Sequence, residues 1–171
     1  MRRWVPYVMA VTVAMLVSVS GASGADSDKE QAELARALHA AKVSLGRGLS
    51  AAASTGKPIS AKFEVEEGKL QLSVYTEKDG KFNEVVVDHT TGKVSRAEPI
   101  TEGEDLAHAK AQSEAMAKAK VSLAAAVAKA GAAHAGYHAV SVFPSLKDGH
   151  PVAEVSLHKG AEWQAVKEKL D

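Results

Sequence analysis

The pentapeptide Ala41-Lys42-Val43-Ser44-Leu45 returns as Ala119-Lys120-Val121-Ser122-Leu123, 78 residues later, and the same offset pairs Leu49 with Val127. In a chain this rich in alanine, five identities carry little weight alone. What gives them weight is order: each copy follows a polar helical lead-in, opens an alanine-rich helix, and leads through a glycine break into alternating strands. Two structural units are therefore expected, residues 25–100 and a more divergent 101–171, preceded by a signal peptide over residues 1–24.

Within the first unit Leu34, Leu38, Ala41, Leu45, Leu49 and Ala52 recur at spacings of three and four, one apolar stripe along a helix. Ser44 and Ser122 are each placed to restart the helix after a bend, because a serine hydroxyl accepts from an orphan backbone N–H. One continuous helix is the alternative, since Glu or Gln is absent three positions on from either serine. After Gly56-Lys57-Pro58 the period changes to two, with Ile59, Ala61, Phe63 and Val65 on one face and Ser60, Lys62, Glu64 and Glu66 on the other. Turns at Glu67-Gly68 and Asp79-Gly80 give an antiparallel meander, and Thr91-Gly92 leads into a short strand around Val94. The second unit repeats the order, with a turn at Asp148-Gly149. Its tail is ambiguous: Trp163, Val166 and Leu170 sit at helical spacing, but the repeat puts a strand there, and the repeat is preferred. The fold class expected is α+β, each unit a helix, bent or continuous, packed on a three- to four-stranded antiparallel meander. Leu45, Phe63, Leu72, Val86, Leu123, Phe143 and Val155 are the expected core.

The N-terminus limits the compartment. Arg2 and Arg3 precede about fifteen mostly apolar residues and then the small-residue run Ser20-Gly21-Ala22-Ser23-Gly24-Ala25, the order of a secretory signal cleaved after Gly24 or Ala25. A spanning anchor would need roughly 20 apolar residues. A periplasmic or secreted location is expected, with no stable membrane anchor after cleavage. With no cysteine in the chain, the fold must stand on its core without disulfides. Loss of Arg2 and Arg3 takes the 21 basic residues to 19 against 21 acidic ones, a net charge of −2 that argues against a nucleic-acid surface.

The run Leu70-Gln71-Leu72-Ser73-Val74-Tyr75, then Asp79-Gly80, then Val85-Val86-Val87-Asp88-His89-Thr90-Thr91-Gly92-Lys93-Val94 resembles the PepSY domain family, the ending V-x-V-D-x-x-T-G-x-V most specifically. Val43-Ser44-Leu45 and Val121-Ser122-Leu123 resemble the lead-in to that family's alanine-rich helix. The second copy departs from the pattern, with Lys159-Gly160 where Asp-Gly is usual and nothing after Trp163 like residues 88–92. The resemblance implies tandem PepSY units in an exported protein, a helix packed on an antiparallel sheet, and a role in binding and restraining a peptidase. It resembles the tandem architecture of the β-lactamase inhibitor protein only at the level of fold, which is weak warrant for function.

Candidate chemistry is sparse. His134 and His138 have an i, i+4 spacing, but Gly136 between them is expected to end a helix and start a strand, turning the imidazoles apart. His150 and His158 read as solvent-side strand positions. Glu64, Glu66 and Glu67 alternate outward on a strand, while Glu102, Glu104 and Asp105 open a helix where carboxylates are favoured. The sequence offers neither a cysteine nor a G-x-S-x-G elbow. The expectation is accordingly of no enzyme: no catalytic, cofactor-binding or metal residue is assigned, and no cofactor is implied. The expected function is a non-catalytic exported module that binds a protein, a peptidase being the class the resemblance implies. The alternative is a structural or metal-buffering periplasmic protein.

Overall fold

The computed structural model describes residues 24–171. The expected signal segment therefore lies outside the described residues, apart from Gly24. Among the described residues no helix is long and apolar enough to cross a membrane.

The element order is α1 (Gly24–Ala37), a single 3-10 turn (Leu38–Ala40), α2 (Leu45–Ala52), β1 (Lys57–Glu66), β2 (Lys69–Lys78), β3 (Lys81–Val87), β4 (Val94–Ile100), α3 (Gly103–Lys118), α4 (Leu123–Ala133), β5 (His138–Lys147), β6 (His150–Lys159) and β7 (Glu162–Lys169). The fold is α+β, with one seven-stranded antiparallel sheet ordered β4-β3-β2-β1-β5-β6-β7. The two expected meanders are thus joined edge to edge. The seam is thin: β1 and β5 pair only at Ala61↔Val142 and Lys62↔Ser141.

Local chemistry explains the elements. Ser44 stands extended at the N-cap of α2, and its Oγ accepts from the Arg47 amide at 3.2 Å; Ser122 does the same for Ala125 at 3.2 Å. The helices therefore restart at both serines as the bent reading has it. Three hairpins turn through consecutive positive φ angles, at Glu67-Gly68, Asp79-Gly80 and Asp148-Gly149, the backbone of two-residue primed turns whose twist suits the strands they join. The tail is strand β7, the preferred of the two expectations; the helical spacing of Trp163, Val166 and Leu170 is incidental.

One face of the sheet carries Ala61, Phe63, Leu72, Val74, Val142 and Val155, and α2 and α4 lie on it side by side. Leu45 and Leu49 are each 1% exposed, burial that contributes about 2 kcal/mol per side chain. Gly48 lets α2 approach closely, since a Cβ there would lie 2.6 Å from Leu72 Cδ2. α3 takes the opposite face, where Ser60 Oγ donates to Gln112 Oε1 at 2.6 Å. Val86 and Phe143 were expected in the core and are only half-buried. Val86 alternates with the buried pair Val85 and Val87, and Phe143 lines a cavity under α3 on the far side of the sheet from α2.

The backbone ties between helices and sheet recur. Lys42 and Val43 both donate their amides to the His89 carbonyl, at 2.8 and 3.1 Å, just beyond β3. Lys120 and Val121 both donate to the Leu170 carbonyl, at 2.6 and 2.9 Å, just beyond β7.

Candidate ligand cleft

β1 and β5 stop pairing after their two residue pairs, and a cleft of about 770 Å³ opens where Phe63 and Val140 part. Its walls are Leu38, Val43 and Leu45 from the start of α2 and the segment before it, Ala124, Val127 and Ala128 from α4, and residues 137–140 entering β5. This volume is within the range of small-molecule sites, and the lining is mainly hydrocarbon. The titratable side chains among the lining residues are His39, Lys42, His138, His158 and Lys159, together with the phenol of Tyr137. None of the lining residues is a carboxylate, but Glu162 accepts from the Tyr137 hydroxyl and raises its pKa.

His158 is the unexpected member. Far from facing solvent it is 7% exposed, its ring 4.9 Å from that of Trp163, and its Nε2 is buried without a hydrogen-bond partner. A buried polar atom left so costs about 1–3 kcal/mol. Strict alternation would put only one of Leu157 and His158 inside. Both are buried, Leu157 in the core and His158 against the ring of Trp163. His138, the register partner of His158, is exposed at the mouth. Lys159 lies across that mouth with Nζ 5.6 Å from the Tyr137 ring centroid.

The remaining candidates fall elsewhere. His134 caps α4, its Nδ1 2.9 Å from the Ala130 carbonyl, and does not meet His138. His150 is exposed and its Nδ1 lies 2.8 Å from Asp171 Oδ2, a contact that lowers the Asp171 pKa. Glu104 and Asp105 occupy the first turn of α3 as expected, beside Glu102 at the N-cap. Among the described residues no group of three or more histidine and acidic side chains is placed to hold a metal ion.

Glu64 does not simply point outward. On the α3 side of the sheet Ser73 Oγ lies 2.9 Å from Glu64 Oε1 and 2.8 Å from Glu84 Oε1, while Lys62 Nζ is 2.7 Å from Glu64 Oε2. One hydroxyl has a single proton to donate, so two ionised carboxylates cannot both be satisfied by it. Burial raises the Glu84 pKa, with the Ser73 hydrogen bond opposing. Beside them, burial and then the Glu84 and Glu64 charges push the Tyr75 phenol up. Lys62 was expected on an open strand face; it is instead only 14% exposed and paired.

The D-x-x-T-G segment forms a closed turn. Asp88 Oδ1 accepts from the Thr90 and Thr91 amides, both at 2.8 Å, and these bonds hold its carboxyl below the usual range. Gly92 donates to the Asp88 carbonyl at 2.8 Å with φ +73°. Comparison of the chain with family models, curated proteins and solved structures finds no match.

Proposed function

We propose that the protein is a non-catalytic exported binding module of the PepSY type, composed of two related units, whose partner is a protein and by family resemblance a peptidase. The observation that carries this reading is the Asp88–Gly92 turn. The residues of the most specific resemblance are bound up in their own turn, and that turn holds the Lys42 and Val43 amides through the His89 carbonyl. The motif thus works as a clamp between helix and sheet, the part a scaffold would need. The matching tie of Lys120 and Val121 to Leu170 supports the second unit, whose clamp lacks the Asp and Gly of the first. The arrangement of Lys-Val amides and strand ends is the same in both although the turn sequences differ.

The test is capture with immobilised mature protein from periplasmic or secreted extract. Recovery of one peptidase in stoichiometric amount, with its activity reduced on rebinding, supports the reading. Stoichiometric metal retained after dialysis, with no peptidase recovered, would favour the metal-buffering alternative.

A further inference from the structure

The cleft between α4, the start of α2 and β5 has chemistry of its own, independent of any protein partner. From its lining the geometry points to a binding site for a small amphipathic acid, an aliphatic body carrying one carboxylate. Two features of the site fix that class. The walls supply side-chain hydrocarbon from Leu38, Val43, Phe63, Val127 and Val140, which reward an aliphatic body by burial at about 25 cal/mol per Å². The charged side chains among the lining residues, Lys42 and Lys159, are both cationic; the Glu162 carboxylate beside them is engaged by the Tyr137 hydroxyl, and the adjoining groove carries Asp28 together with Arg36.

Lys42 and Lys159 both line this one cleft, and His39 joins it to a second groove. His39 lines both the cleft and the adjoining groove with Gly160 and Trp163, which brings the end of the 3-10 turn up to the β6–β7 connection that Lys159 opens. An anionic head at that mouth would meet ammonium groups, while its tail ran inward between α4 and Phe63. A cationic amphiphile would meet the same charges as repulsion.

The corresponding space at the other end of the seam gives an internal contrast. It is lined by Leu49, Ser50, Ala53, Pro58 and residues 119–124, again with two lysines and no carboxylate, but measures only about 390 Å³. There Lys57 Nζ is already bound to the Met116 carbonyl at 2.7 Å, at the end of the long helix α3. The first cleft is larger, and the ammonium of Lys159 lies over the face of Tyr137. A body too polar to leave water gains nothing from such walls, and a peptide backbone brings amides that hydrocarbon side chains do not satisfy.

The experiment is displacement of the fluorescent acid cis-parinaric acid from the mature protein. Dodecanoate should displace it, dodecanol should be at least tenfold weaker, and dodecyltrimethylammonium should fail to compete. The double variant Lys42→Gln/Lys159→Gln should lose about tenfold in dodecanoate affinity and none in dodecanol affinity, since the substitutions touch the head and not the tail. Ala128→Trp, at an exposed position on the cleft wall, should block both ligands, and a thermal melt unchanged from wild type would show that the variant is folded. The proposal is overturned if the folded protein does not bind cis-parinaric acid, if dodecanol competes as well as dodecanoate, or if both variants bind as wild type. It is overturned equally if a peptide with an apolar free C-terminus displaces the probe at lower concentration than dodecanoate.

Discussion

Replacing Gly92 tests the turn that clamps the first helix to the sheet. Its φ of +73° costs an L-residue about 1–2 kcal/mol. A Cβ added there would lie 3.3 Å from Val43 Cγ1 and 3.5 Å from Arg47 Nε, so the lead-in to α2 must also give way. Valine adds branching at the same point, and overpacking of this kind costs about 1–3 kcal/mol. Gly92→Ala should therefore destabilise by about 2 kcal/mol and Gly92→Val by about 3 kcal/mol, while Gly92→Asn, which tolerates the left-handed region, should cost least. In urea, with a slope of about 2 kcal/mol per M, the valine variant should melt more than 1 M below wild type. Lys81→Ala, exposed at the start of β3, is the proper control and should stay within about 0.5 kcal/mol. Lys62 would be a poor one, being paired with Glu64. Equal midpoints for Gly92→Val and Lys81→Ala would refute the clamp.

Gly48→Ala gains about 1 kcal/mol of helix propensity but drives a methyl into buried Leu72, so a net loss of about 1 kcal/mol is expected; Leu72→Val in the same chain should recover part of it, measured by a double-mutant cycle. Asp88 has a folded pKa below its unfolded value, so its stabilisation is present in full above the unfolded pKa and is lost as pH falls through the folded one. Asp88→Asn should flatten that acid limb of the stability curve, and an unchanged limb would remove the role of the Thr90 and Thr91 amides. Glu84 has the opposite sign: its contribution is present below the unfolded carboxyl pKa and is lost as pH rises through the raised folded value. Glu84→Gln should abolish that loss, followed by chemical denaturation across the range. Exported protein should give an intact mass starting at Ala25 or Asp26, and material retaining residues 1–24 would refute cleavage there.

Much of the scaffold was legible because it rests on local chemistry. Ser44 and Ser122 announce their helices by type and position, and Asp79-Gly80 and Asp148-Gly149 are turns that few other residues would make. Faces were legible only where alternation is unbroken. Val86 was placed inside when Val85 and Val87 are, a shift of one residue within a run of three valines where period two gives no reference. Phe143 was expected in the core as the second-unit counterpart of Phe63, whereas it lies on the opposite face of the sheet, where α3 provides a second cover. The cleft was hidden for a different reason. Its walls come from five separate segments, and His158 is buried against Trp163 of the neighbouring strand, a contact that leaves no mark in the sequence of β6 itself. The join between β1 and β5 was equally unmarked, since nothing in either strand specifies an edge partner some 80 residues away.

That join has a mechanical side. Every other neighbouring pair of strands is fastened by six or more residue pairs, and β1 and β5 by two. Tension applied between the outermost strands, β4 and β7, would pass through each ladder in series and find its weakest rung in the middle. What bridges the same gap is α2 laid against α4 on one face, with Leu49 and Val127 among the side chains of one continuous core, and α3 laid across β1 and β5 on the other. Pulled apart, the molecule would resist at its centre chiefly through packed hydrocarbon, a cross-brace that yields gradually, where hydrogen bonds loaded together would snap.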